Sequence, residues 1–197
     1  MTRLGTLLFN LATFAAIAVV GGLGSAWYMV EAGSELSTLS SGPWVAWTAA
    51  GRPEADPYTR AHTVRNALLP IASTLELTYR ARTDSRGGKL TSSCDYAIVV
   101  PSLDNTWWNL AAFDTRGRLI NNAAERYAFT SDTVLRESDG RAVIALGRDA
   151  RPGNWLPIGG GGRFLLILTL QDAALASAAY EGGRTAKLPA IERVACR

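Results

Sequence analysis

The first long stretch of the chain has no polar rhythm. From Leu4 to Val30 no side chain is charged, and Arg3 and Glu31 bound the segment. At about 1.5 Å rise per residue such a helix is about 40 Å long, more than the roughly 30 Å hydrocarbon core of a bilayer requires. Trp27 and Tyr28 close it, where amphipathic rings settle at headgroup level, and Arg3 with the amino terminus carries the positive charge at the other end. This pattern predicts a single-pass signal-anchor of the inner membrane, residues 1–32, with a cytoplasmic N-terminus and a periplasmic domain. A cleaved signal peptide is the alternative, with small residues at Gly24, Ser25 and Ala26. The long apolar region and minimal basic n-region favour the uncleaved anchor. Ala18, Gly22 and Ala26 recur at helical spacing and form a small-residue ridge that another membrane helix could approach closely.

Beyond the span the pattern changes twice. A Ser- and Gly-bearing linker, 33–42, leads to a domain over 43–197 that opens with Pro43, Trp44, Val45, Ala46 and Trp47. Asp56 as N-cap and Pro57 at the first helical position predict a helix from Tyr58 to Leu69, stopped by Pro70. From there the period is two: Leu75, Leu77, Tyr79 and Ala81 alternate with Glu76, Thr78, Arg80 and Arg82. Further strands are predicted at Cys94–Val100, Trp107–Phe113, Leu119–Asn121, Arg126–Phe129, Thr133–Arg136, Ala142–Leu146 and Phe164–Leu170. The Asp- and Gly-bearing turns at Asp114–Gly117 and Ser138–Gly140 suit tight connections. Many short strands at this spacing indicate an antiparallel β-sandwich or barrel. A late helix, Ala173–Tyr180, capped by Asp172, and an extension from Leu188 to Cys196 complete the chain.

Composition sharpens this picture. The 197 residues leave room for one ordinary domain after the span. The net charge of +3 comes from basic residues scattered among acids, without the basic stripe of a nucleic-acid binder. Two cysteines, Cys94 and Cys196, and a single histidine, His62, are too few for a structural zinc site, so no metal or cofactor is expected. In an oxidising compartment the two cysteines read as a disulfide tying the tail to the body, and the alternative is two buried free thiols.

Several segments in order carry a family resemblance: Cys94-Asp95-Tyr96, Trp107-Trp108 followed by Phe113-Asp114, Asn121 through Arg126-Tyr127-Ala128-Phe129, and Gly153-Asn154-Trp155-Leu156-Pro157 before Phe164. The chain resembles the family known as domain of unknown function 1214 over most of its soluble part. The resemblance implies a predominantly β, jelly-roll-like domain, carried in bacteria behind one membrane helix or fused behind a companion domain numbered 1254, which is missing here. It implies no activity.

The candidate chemistry is sparse. His62 sits in the predicted helix with no nucleophile marked by a motif, and reads as a surface or capping histidine. Glu76, Asp84, Asp95, Asp104, Asp114, Asp132, Asp139 and Asp172 are numerous enough to pair by chance, but glycosidase chemistry needs a defined separation. Gly159 to Gly162 lack the Lys-Ser/Thr of a phosphate loop and precede a strand, so they read as a connector. Asn154, Trp155, Leu156 and Pro157 beside that connector could wall a groove. Trp107 and Trp108 on one strand place an indole on each face, and Trp108 is grouped with the candidate surface. Arg126 could hold a carboxylate or phosphate, or order its own loop through an ion pair. The expectation is a non-enzymatic binding or accessory subunit with Trp155 and Arg126 lining its best concavity. The bilayer, a transmembrane protein partner, and a glycan or small ligand are the partner classes that fit, and a carboxylate-based hydrolase is the alternative.

Overall fold

The computed structural model describes residues 3–34, 36–103, 107–172 and 187–197. The uncharged segment forms one helix, α1 (Arg3–Ala32), with no buried residue along its length. With a mean hydropathy of 2.0 it is long and apolar enough to be a membrane span or a signal sequence.

The remainder is mainly β, in two sheets. The first holds six strands: β1 (Thr38–Ser41), β2 (Trp44–Trp47), β3 (Leu77–Ala81), β9 (Phe164–Gln171), β5 (Trp107–Asp114) and β6 (Ala128–Thr130), in that spatial order. The second orders β10 (Ala190–Cys196), β4 (Cys94–Val100), β7 (Ala142–Gly147) and β8 (Asn154–Pro157). All pairings are antiparallel except β7 with β8, which is parallel. A short helix, α2 (Pro57–Arg65), lies between β2 and β3 in the chain.

The period-two pattern explains how the sheets meet. On β4 the residues Cys94, Tyr96, Ile98 and Val100 are buried, and on β9 Phe164, Leu166, Leu168 and Leu170 are. Together with Trp44, Leu77, Tyr79, Trp108, Leu110, Ile144 and Leu156 they make one core between the sheets. The Tyr96 and Phe164 rings meet edge to face, 5.8 Å apart. The Trp44 indole donates to the Pro189 carbonyl at 2.7 Å, fastening β2 to the segment that enters β10.

Six predicted elements differ. The connector 33–42 is, in its second half, the edge strand β1, because Thr38 to Ser41 pair with β2. The helix begins as expected, with Asp56 accepting from Tyr58 N at 2.9 Å and Thr59 N at 3.0 Å. It ends at Arg65 rather than Leu69, where Ala67 adopts a positive φ of 49° that breaks the helical path. Leu75 lies outside β3 and is exposed. Leu119–Asn121 makes only a single bridge, from Leu119 to Phe113, and Thr133–Arg136 is turn and coil. Conversely, Asn154–Pro157, read as the wall of a groove and not as a strand, is the strand β8. Its residues Leu156 and Pro157 are buried, which a short apolar run beside glycines did not distinguish from a loop. The helix predicted at 173–180 lies outside the described residues.

The two cysteines are bonded to each other, Cys94 on β4 to Cys196 on β10, closing a separation of 102 residues. A loop of that length stabilises the folded chain by about 4 kcal/mol through unfolded-state entropy. The same edge carries a buried charge: Asp84, 3% exposed, pairs with Arg193 at 2.8 Å and accepts from the amides of Arg86 and Gly88.

Candidate functional site

The candidate residues at the far edge of the four-stranded sheet come together, but for structural work. Arg126 is placed by Asn122, whose side chain accepts from Arg126 N at 3.1 Å and donates to Arg126 O at 2.9 Å. Its guanidinium donates to the Trp155 carbonyl at 3.1 Å, stitching the approach to β6 onto β8 and so linking the edges of the two sheets. Trp155 is half-buried and its indole donates to Gly147 O at 3.1 Å. Asn154 is 7% exposed. Its oxygen accepts from Leu135 N at 2.7 Å, and its nitrogen donates to Leu135 O at 2.7 Å and Val143 O at 3.1 Å. Both N–H donors of that side chain are spent on the backbone, so Asn154 acts as a brace between the 135 segment and β7.

Trp108 does not belong to a surface. It is 0% exposed in the core, paired in register with Leu170, and the pleat turns its neighbour Trp107 outward instead. The Trp107 indole donates to Asp132 at 3.0 Å.

The most spacious hollow, about 550 Å³, lies beside the tetraglycine segment and is lined by Gly159 to Gly162, Arg118, Asn121 and their neighbours. Neither Trp155 nor Arg126 lines it, so the expected concavity sits one segment further along the chain. Its acid is already matched: Asp114 takes both Nε and Nη2 of Arg118, at 3.0 and 2.9 Å, and the remaining charge, Arg163, is exposed to solvent. The backbone amide of Arg118, its guanidinium and the Arg116 amide hold the Asp114 carboxyl below its ordinary range. Asp84, Asp95, Asp139 and Asp149 are likewise paired, with Arg193, Arg151, Arg141 and Arg197. These acids are committed to arginines, not to one another. Among the described residues no group of three or more His, Cys, Asp or Glu could hold a metal.

The anchored end is different. The last turns of α1 dock on α2: Arg65 lies 3.7 Å over the Trp27 ring and 3.6 Å from Glu31, and His62 Nδ1 donates to the Val30 carbonyl at 2.8 Å. His62 is 8% exposed and stacks on Trp47 of β2, ring centres 4.2 Å apart. With Nδ1 engaged, Nε2 is left buried without a partner among the described residues. Burial is the largest cause lowering the His62 pKa from 6.5, with Arg80 and Arg82 acting the same way and Val30 O and Glu31 opposing. A second cavity of about 300 Å³ opens here, between the outer face of β2–β3 and the loop after α2. Reading His62 as a surface or capping residue missed this, because stacking on a tryptophan fifteen residues earlier leaves no local sequence signal. On α1, Ala18 and Gly22 are exposed and Ala26 is half-buried, and a Cβ at Gly22 would meet nothing within 4 Å.

Fold and geometry thus define a two-sheet β domain behind an apolar helix, with a closed edge and a partly open anchored end. The chain belongs to the protein family of unknown function DUF1214, whose profile matches residues 76–174. Its fold is similar to that of the VPA0106 protein from Vibrio parahaemolyticus, with a TM-score of 0.61 at 17% identity, covering 94% of this chain and 46% of that one. The chain therefore spans about half the length of that protein. An uncharacterized protein from Burkholderia cenocepacia aligns over 62% of this chain and 30% of that one, with a TM-score of 0.40 at 18% identity. No curated protein matches the chain.

Proposed function

We propose that the protein is a single-pass inner-membrane protein, N-terminus cytoplasmic, whose β-sandwich stands in the periplasm as a non-enzymatic binding or accessory subunit of a membrane complex. The docking of α2 on the end of α1 carries this reading. His62, Arg65, Trp27 and Glu31 fix the sandwich to the helix at the level where Trp27 and Tyr28 favour the headgroups, so the domain is held at the membrane surface and not on a free tether. The Cys94–Cys196 bond supports an oxidising compartment. The exposed Ala18 and Gly22 on one face of α1 suit a transmembrane partner.

The test has three arms. A periplasm-active reporter fused after Arg197 is expected to be active and a cytoplasm-active one silent, and the converse overturns the topology. Membrane extraction at high pH is expected to leave the full-length chain in the pellet, whereas a mature chain beginning near Trp27 means the helix is a cleaved signal. A partner recovered in mild detergent and lost when Gly22 is changed to Leu supports the subunit role.

A further inference from the structure

The cavity at the anchored end differs from the tetraglycine hollow in how deeply its unpaired groups lie: Arg163 of the hollow is exposed, whereas His62 is buried and Arg80 half-buried. Its floor is the outward side of β2 and β3, with Trp47 and Arg80, and its roof is the loop from Leu68 to Ile71. Arg80 is half-buried, and it makes no hydrogen bond or ion pair among the described residues. Burial, then the neighbouring charge of Arg82, lowers its pKa, yet a guanidinium keeps its proton, so a counter-charge is missing. Glu76 lines the same cavity but faces Gln171, at 3.1 Å, and Thr78, at 3.4 Å. His62 lines it too, and its Nε2 is the second polar group left over.

The roof supplies the apolar half. Leu69 is 99% exposed, and Val64 and Ile71 are also exposed. Apolar side chains so displayed are characteristic of a surface that meets membrane or partner. The loop runs on directly from α2, its Leu68 amide bonded to the Thr63 carbonyl, and α2 is the helix whose His62 is bonded to the last turn of α1, so where α1 spans a bilayer α2 carries this loop near the surface.

We infer that this cavity takes the anionic head of a lipid from the membrane in which α1 stands. Arg80 provides the charge-assisted donors, His62 adds a second donor when Nε2 takes up a proton, and the chains leave over Leu69 and Ile71 toward the hydrocarbon. The inference rests on α1 being a membrane helix, and it adds a ligand class to the binding role. No covalent step is involved.

The single histidine makes the test direct. Full-length protein with 15N-labelled histidine is placed in phosphatidylcholine nanodiscs, and His62 is titrated with pH, then again with phosphatidylglycerol in the discs. The charges facing His62 are Arg80 from β3, Arg82 just beyond its end and Glu31 from α1, and an added phosphate changes their balance toward the protonated ring. The expected result is a His62 titration moved upward by phosphatidylglycerol and unmoved by more phosphatidylcholine. In Arg80→Met the phosphatidylglycerol concentration needed rises at least tenfold. An identical His62 titration in both lipids, or equal response in Arg80→Met, overturns the proposal. A response to a soluble long-chain carboxylate with none to phosphatidylglycerol also overturns it, and assigns the cavity to free acids. Failure of the chain to enter discs at all overturns it through the anchor, a result distinguishable from an inserted chain with a silent histidine.

Discussion

The four-stranded sheet and the anchored end use the same residue types to opposite effect. Along the sheet, from the β10 edge to the β8 edge, every notable polar side chain is engaged inside the protein. Asp84 holds Arg193, Asn154 saturates the backbone of Leu135 and Val143, and Arg126 holds the Trp155 carbonyl. At the anchored end, a buried histidine ring nitrogen and a half-buried arginine are left without partners among the described residues, beside exposed leucine and isoleucine. An edge strand exposes backbone groups that invite pairing with other chains, so the fold saturates it. A surface kept for a ligand leaves its polar groups uncommitted.

The largest test of this contrast is the disulfide. Changing both Cys94 and Cys196 to Ser is expected to destabilise the chain by about 4 kcal/mol. Urea unfolding in detergent measures the loss, and the anchored end should keep its His62 resonance in the folded population. Asn154→Ala comes next, at about 3 kcal/mol, since three backbone groups of Leu135 and Val143 lose their partner. If that variant unfolds like the parent, the far edge is not braced as described.

A pH titration of stability sharpens the other side. The His62 pKa is lowered on folding, so below about pH 6.5 the unfolded chain binds more protons than the folded one. Stability is therefore complete above that value and declines as pH falls toward the folded pKa. His62→Gln should remove this part of the slope, whereas the parent slope persisting in the variant would place the titrating group elsewhere. Arg126→Ala should be the mildest, about 0.5 to 1 kcal/mol, because its bond to Trp155 is solvent-exposed.

Much of the fold was legible. The uncharged run announced α1, the period-two runs announced β3, β4, β5, β7 and β9, and Asp56-Pro57 marked the start of α2. What escaped has a common physical cause. Strands β1 and β8 have four residues each, too few for a period to declare itself, and β8 acquires its identity by parallel pairing with β7. The choice of Trp108 over Trp107 was a matter of register, and register is set by the partner strand. At the site level, Arg126 and Trp155 were rightly brought together, but whether a polar group is left over depends on every neighbour. Arg80 looked like the polar half of a strand, and only the loop folded over it turns it into an unmatched charge.

Photo-crosslinking in living cells puts the contrast to its most direct test. A photoreactive amino acid is placed at Leu69, 99% exposed at the anchored end, or at Leu135, 67% exposed beside the β8 edge. Both positions are solvent-facing and tolerant, so only their surroundings in the cell differ. Lipid adducts at Leu69 with none at Leu135 are the expected result, and lipid adducts at Leu135 with none at Leu69 contradict the account.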